Sequence, residues 1–151
     1  LDAMKNAKAR VIITPHPGEA ARLLNRNTSE INRDRQKSAA ELAAVTGSVT
    51  VLKGAGSVVA TPEGKTYINT TGNPGMATGG SGDVLTGVIA ALAGQGLEPE
   101  AAAAAGVFLH GLAGDLARDQ MGEYGLVASD IANMVALAVK SILESRESMV
   151  K

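Results

Sequence analysis

Gly72-Asn-Pro-Gly-Met-Ala-Thr-Gly-Gly-Ser-Gly-Asp-Val-Leu85 is a glycine-rich loop that delivers one carboxylate, Asp83, at the start of an apolar helix. Unpaired backbone N–H groups at a helix start and the positive end of its dipole bind anions, and glycines let a phosphate approach the backbone. The stretch therefore points to phosphate chemistry with a base at hand. Two familiar phosphate signatures are absent from it. A Walker A loop needs Lys after its last glycine, and none follows any glycine of residues 72–82; a dinucleotide fingerprint built on Gly80 and Gly82 needs Gly at position 85, where Leu85 stands. What remains is Gly79-Gly-Ser-Gly-Asp83, an anion hole whose last residue carries the carboxylate. Read alone, Asp83 is either a base or an ordinary helix-capping acid. A weak base suffices in phosphoryl transfer, where the hydroxyl proton leaves late and positioning and charge neutralisation do most of the work.

Working outward, residues 10–14 form a continuous apolar, β-branched run closed by Pro15 and Pro17, which predicts a buried strand ending in a constrained loop. A short helix is expected over residues 18–24. Asn27-Thr-Ser-Glu30 is a capping box, predicting one helix through Ile31, Leu42 and Ala43 to Gly47. Residues 48–52, 57–61 and 65–69 read as strands, the last two joined as an antiparallel hairpin through Pro62-Glu-Gly64. Three helices are then expected, over residues 82–93, 99–119 and 127–144, with Ser129 or Asp130 near the cap of the third. The first two are so apolar all round that they are expected to be covered on most sides, as in a layered α/β domain.

With 151 residues, 45% apolar and 19% charged, and a mean hydropathy of +0.09, the chain can bury one core and has neither a membrane-span nor a disordered composition. Residues 1–37 hold eight of its fourteen basic side chains, without the interleaved aromatics of a nucleic-acid surface, so we read a solvated face. Zero cysteines exclude disulfides and thiolate metal sites and fit a reducing, cytoplasmic setting. Leu1 is not an initiator methionine, and residues 9–15 read as an interior strand, so the chain is expected to be part of a longer domain.

Taken together, Thr14-Pro-His-Pro-Gly-Glu-Ala20, Leu52-Lys-Gly-Ala-Gly-Ser57 and Asn73-Pro-Gly-Met-Ala-Thr-Gly-Gly-Ser-Gly-Asp-Val-Leu-Thr-Gly87 resemble the ADP- or ATP-dependent NAD(P)H-hydrate dehydratases of the ribokinase-like superfamily. The resemblance covers nearly all of residues 10–140. It implies a three-layer α/β/α fold, here residues 1–151 of a single ribokinase-like domain lacking its N-terminal half. It also implies a reaction in which the terminal phosphate of ADP or ATP, with Mg²⁺, passes to the hydroxyl of hydrated NADH or NADPH and is then eliminated, repairing the cofactor.

The same resemblance makes Asp83 the catalytic residue and places His16 at the hydrated nicotinamide. It assigns nucleotide contacts to Lys53, Gly54, Ala55, Gly56 and Ser57, to Asn73, and to Gly79, Gly80, Ser81 and Gly82. It also implies that Glu19 acts on Mg²⁺ through water. Read locally, His16 is also a loop histidine bonded to backbone, Glu19 a first-turn helix acid, and Met76 plain packing. His110 and Asp115, five residues apart and so about 500° around a helix, do not share a face well; they read as core, with the intervening glycines allowing close helix packing. Other readings are a thiamine-pathway kinase of the same fold, disfavoured by His16 and by residues 73–78, or an inactive nucleotide-binding fragment. An open flank of the shortened sheet predicts pairing, as a homo-oligomer or with the missing half.

Overall fold

The computed structural model describes residues 2–149, with side chains described from Met4 to Ser145. A short helix α1 (Asp2–Lys5) leads to strand β1 (Ile12–Ile13), then helices α2 (Pro17–Leu24), α3 (Thr28–Arg33) and α4 (Arg35–Thr46). Strands β2 (Val49–Leu52), β3 (Val58–Ala60) and β4 (Thr66–Ile68) follow, and after a 3₁₀ turn at Pro74–Met76 come α5 (Ser81–Gly94), α6 (Pro99–Met121) and α7 (Ala128–Met149). The sheet has the order β1-β2-β3-β4, with β1 parallel to β2 and the other two pairs antiparallel.

Strand alternation divides the core into two layers. Leu52, Val58 and Ala60 face one way and pack with Ala39, Leu42 and Ala43 of α4. Val49, Val51 and Val59 face the other way, against Leu85 and Ile89 of α5 and Ala103 and Val107 of α6. A side-chain period of two thus puts helices on both faces, which is the expected three-layer α/β/α arrangement. A third cluster joins α6 to α7 through Leu109, Ala113, Ala117, Ile131 and Ala138. Among the described residues, no helix is long and apolar enough to cross a membrane.

Three local expectations need correction. The helix expected from Asn27 to Gly47 is two helices: Asp34 leaves helical geometry at φ −144°, ψ 86°, and its side chain accepts the Lys37 N–H at 3.0 Å, starting α4 afresh. The strand expected to be buried at residues 10–14 is two residues long and half-buried, because β1 pairs on one side only among the described residues. Helix α5, expected to be covered on most sides, leaves Gly87, Ala90 and Ala91 exposed, since the elements packed most closely on it, α6, α7 and one sheet face, lie on its other sides. The hairpin of β3 and β4 and the acidic cap of α7, where Asp130 Oδ2 accepts the Val127 N–H at 3.0 Å, follow the sequence expectation.

The contact of α5 with α6 depends on Gly106, where an added Cβ would stand 2.5 Å from Ile89 Cγ1 and 3.3 Å from its Cα. Gly87, also inside a helix, has nothing within 4 Å. Alanine is therefore expected to act oppositely at the two sites. Gly87→Ala should stabilise the fold by roughly 0.5–1 kcal/mol through helix propensity, whereas overpacking should make Gly106→Ala destabilising by about 1–3 kcal/mol. Urea unfolding midpoints of the two variants measure this directly.

Candidate functional site

The loops leaving β1 and β2 and the first turn of α5 converge. After β1, His16 is the N-cap of α2: its Nδ1 accepts the N–H groups of Gly18 at 3.0 Å and Glu19 at 3.2 Å. Glu19 Oε2 returns to the His16 N–H at 2.7 Å, completing a capping box in which histidine takes the place usually held by Ser or Thr. With Nδ1 accepting, the neutral ring carries its proton on Nε2, which lies 3.5 Å from Glu19 Oε1. Both side chains are about half exposed, so the cap holds them in place without burying them.

After β2, Lys53 lies over the start of α5. Its Nζ is 3.9 Å from Glu19 Oε2 and would be 3.2 Å from a Cβ built on Gly82. Behind it, Arg35 Nη2 donates to the carbonyls of Leu52 at 3.1 Å and Lys53 at 3.2 Å, fixing the strand end from α4; burial holds the guanidinium pKa below its ordinary value. Gly54, at φ +144°, holds a backbone conformation that side-chain-bearing residues rarely adopt, and a Cβ there would displace Arg35, whose Nη1 would lie 2.7 Å away. Ser57 closes the following turn: its hydroxyl donates to the Gly54 carbonyl at 3.0 Å and accepts the Gly54 N–H at 3.2 Å. Gly54, Ala55 and Gly56 are exposed.

At the third element, Gly80 is the N-cap of α5 at φ +87° and Asp83 is exposed in the first turn. The Ser81 N–H bonds the Thr78 carbonyl at 3.3 Å and the Asp83 N–H bonds that of Gly80 at 3.0 Å, leaving Gly82 as the first-turn donor for an anion. Thr86 donates to the Gly82 carbonyl at 3.0 Å and lies 3.3 Å from the Thr14 hydroxyl, tying this turn to the end of β1. Ser81, expected beside the nucleotide, is buried with its hydroxyl 3.4 Å from His110 Nε2. The structure thus brings His16, Glu19, Lys53, Gly82 and the Asp83 turn together, with the exposed Gly79 and Gly80 at the rim.

Helix α6 underlies both ends of the glycine loop. His110 Nε2 donates to the Ser81 carbonyl at 2.9 Å, and the Asp115 carboxylate accepts the Gly72 N–H at 2.8 Å and Asn73 Nδ2 at 3.0 Å. Asn73 Oδ1 caps the 3₁₀ turn through the Gly75 N–H at 3.1 Å, so both ends of the Asn73 amide are engaged inside the loop. Between those anchors the loop lies on the backbone of α6. A Cβ on Gly111 would stand 2.1 Å from Thr71 Oγ1, and one on Gly114 would stand 2.2 Å from Met76 Sδ. The close packing expected at these glycines is present, but the neighbour is a loop rather than a helix, and His110 and Asp115, expected as core, make polar contacts with it. Arg35 gave no sequence signal at all.

A family model described as NAD(P)H-hydrate dehydratase matches residues 2–136 of this chain. The chain belongs to that family. It is 51% identical over 140 residues to the bifunctional NAD(P)H-hydrate repair enzyme Nnr of Moorella thermoacetica, covering 93% of this chain and 26% of that protein. Among solved structures it superposes on the ADP/ATP-dependent NAD(P)H-hydrate dehydratase of Bacillus subtilis co-crystallised with ATP/Mg²⁺, with a TM-score of 0.84 and 36% identity, covering 87% of this chain and 48% of that one. A ribokinase-like superfamily protein of Enterococcus faecalis matches with a TM-score of 0.71 and 32% identity over 86% of this chain and 44% of its own. The fold of this dehydratase-family chain is therefore ribokinase-like. The chain spans about a quarter of the bifunctional relative's length and about half of the dehydratase structure.

His110 gives the family fold a measurable pH response. Burial lowers its pKa from the ordinary 6.5, against a smaller upward pull from the Ser81 carbonyl, so it is neutral in the fold and titrates higher in the unfolded chain. Its contribution to stability is then present above pH 6.5 and is lost as pH falls through the folded-state value. Urea unfolding is expected to show stability declining below that pH, with a shallower decline in His110→Gln.

Proposed function

We propose that this chain carries the nucleotide-binding and phosphoryl-transfer part of an ADP- or ATP-dependent NAD(P)H-hydrate dehydratase. The observation that carries the proposal is the position of Lys53 Nζ, 3.2 Å from the Cβ direction of Gly82, directly before Asp83 at an open helix start. A cation brought beside a helical turn that offers an N–H and a carboxylate supplies what the transfer of a phosphoryl group to a hydroxyl requires.

In this reading the terminal phosphate of the nucleotide lies against the Gly82 N–H and Lys53, and the exposed loop of Gly54, Ala55 and Gly56 borders the nucleotide. Gly79 and Gly80 allow the phosphates to approach the backbone, while Ser57, Asn73 and Ser81 act by holding the loop shapes. Asp83 orients the hydroxyl of hydrated NADH or NADPH and accepts its proton as the P–O bond forms. Elimination follows, because phosphate is a better leaving group than hydroxide: the ring nitrogen's electron pair helps expel it, a ring proton is lost, and the dihydronicotinamide is restored. His16, whose one ring N–H on Nε2 lies 3.5 Å from Glu19 Oε1 and whose ring is half exposed, would turn that N–H from Glu19 to the substrate or phosphate oxygen. The remaining wall around the hydroxyl belongs to the part of the relatives' length that this chain does not span.

Mg²⁺, when bound, would neutralise phosphate charge. No group of three or more potential metal ligands occurs among the described residues, and Glu19 Oε2 is already bonded to the His16 N–H. That donor set fits Mg²⁺ held mainly by phosphates and water, with Glu19 reaching it through water.

The test is turnover: ADP or ATP, Mg²⁺ and hydrated NADH are mixed with the protein and the absorbance of restored NADH is followed. Asp83→Asn is expected to lower turnover by about 10²–10⁴-fold while sparing nucleotide binding. Full turnover by Asp83→Asn would reduce Asp83 to a first-turn helix acid, and nucleotide binding without any NADH recovery by the parent would remove the dehydratase assignment from this chain.

A further inference from the structure

Two polar anchors on α6 hold the two ends of the glycine loop, and neither belongs to the site just assigned. At the entry, Asp115 takes the Gly72 N–H and the Asn73 amide, with Arg118 Nη1 at 3.5 Å as its counter-charge. At the exit, His110 donates to the carbonyl of Ser81, the first residue of α5 and two residues before Asp83. Just before the entry, the Thr71 hydroxyl donates to the Phe108 carbonyl at 2.9 Å, and Gly111 and Gly114, between His110 and Asp115 on α6, let Thr71 and Met76 sit on the helix. His110 and Asp115 are about 140° apart around α6, so a chain touching both must wrap the helix rather than run along one face.

We propose that His110 and Asp115 are positioning residues that set the reactive geometry of the Gly82 N–H and Asp83 by pinning the loop at both ends. This rests on the assignment of Gly82 and Asp83 to the phosphate and the hydroxyl. The physical ground is the glycine content of the loop. Residues 72–82 include five glycines, which lose the most conformational freedom on ordering, so the loop cannot be expected to hold one shape by its own preferences. A carboxylate accepting two N–H donors, and a buried imidazole donating to a carbonyl, supply that order from a helix already fixed by the core. Simple core packing would account for the burial of His110. It would not account for a half-buried carboxylate aimed at a loop N–H and an amide.

The test exchanges the partners. Asp115→Asn sets two amide groups donor to donor, whereas Asn73→Asp with Asp115→Asn restores the pattern in reverse, since the carboxylate then at position 73 could still accept the Gly75 N–H. His110→Leu removes the exit anchor, and His110→Gln keeps a donor. Hydrogen exchange of the backbone amides of residues 72–83 and calorimetric ADP binding with Mg²⁺ are read for each variant. Asp115→Asn and His110→Leu are expected to speed loop exchange and weaken ADP binding by about tenfold each, with amides of β2 and β3 unchanged, and the exchanged pair and His110→Gln to recover most of both losses. Loop exchange matching the parent in the single variants, an equal change in β2 and β3, or no recovery in the exchanged pair would overturn the proposal. Because exchange needs no nucleotide, it decides this clamp even if the parent binds no ADP, a result that would instead overturn the proposed function.

Discussion

The rest of the site depends on how closely a glycine loop can lie on a helix. Residues 71–76 approach α6 to distances that leave no room for a side chain at Gly111 or Gly114. That approach brings Asp115 within reach of the loop's first amides and His110 within reach of its last carbonyl. The start of α5 therefore takes its position from α6, which is itself buried between the sheet and α7. A methyl group at Gly111 would meet the Thr71 backbone and lift the loop from its anchors, whereas one at Gly114 would displace the Met76 side chain.

The other side of the site is built from strand ends. Parallel pairing of β1 with β2 puts the loops that follow them at the same edge of the sheet, which is where α/β folds bind ligands. One of those loops supplies His16 and Glu19 as a reciprocal cap; the other supplies Lys53, held from behind by Arg35. Lys53 then faces both Glu19 and the turn containing Asp83, and in the proposed function a phosphate takes the place of the Glu19 carboxylate. An apolar sheet with helices on both faces thus ends in a small, charged, open rim.

Much of this is legible in the sequence because glycine, proline and β-branched runs report local geometry directly. Pro62-Glu-Gly64 gave the hairpin, Gly79-Gly-Ser-Gly-Asp83 gave the helix start with Asp83 in its first turn, and the order of three motifs gave the family. What could not be read were contacts between residues far apart in the chain: Arg35 with Leu52 and Lys53, Thr14 with Thr86, Asp115 with Gly72. Periodicity sees one element at a time, so His110 and Asp115 both read as core residues with close helix packing between them. The break at Asp34 escaped because a capping aspartate inside an otherwise helical pattern resembles any surface acid.

A crystal structure of the protein with ADP and Mg²⁺ tests the central claim most directly. The account predicts the terminal phosphate on the Gly82 N–H, with Lys53 Nζ against it, Asp83 facing its open side and the loop of residues 72–81 still lying on α6. A nucleotide bound away from the start of α5, or phosphates held without Gly82 and Lys53, would contradict it.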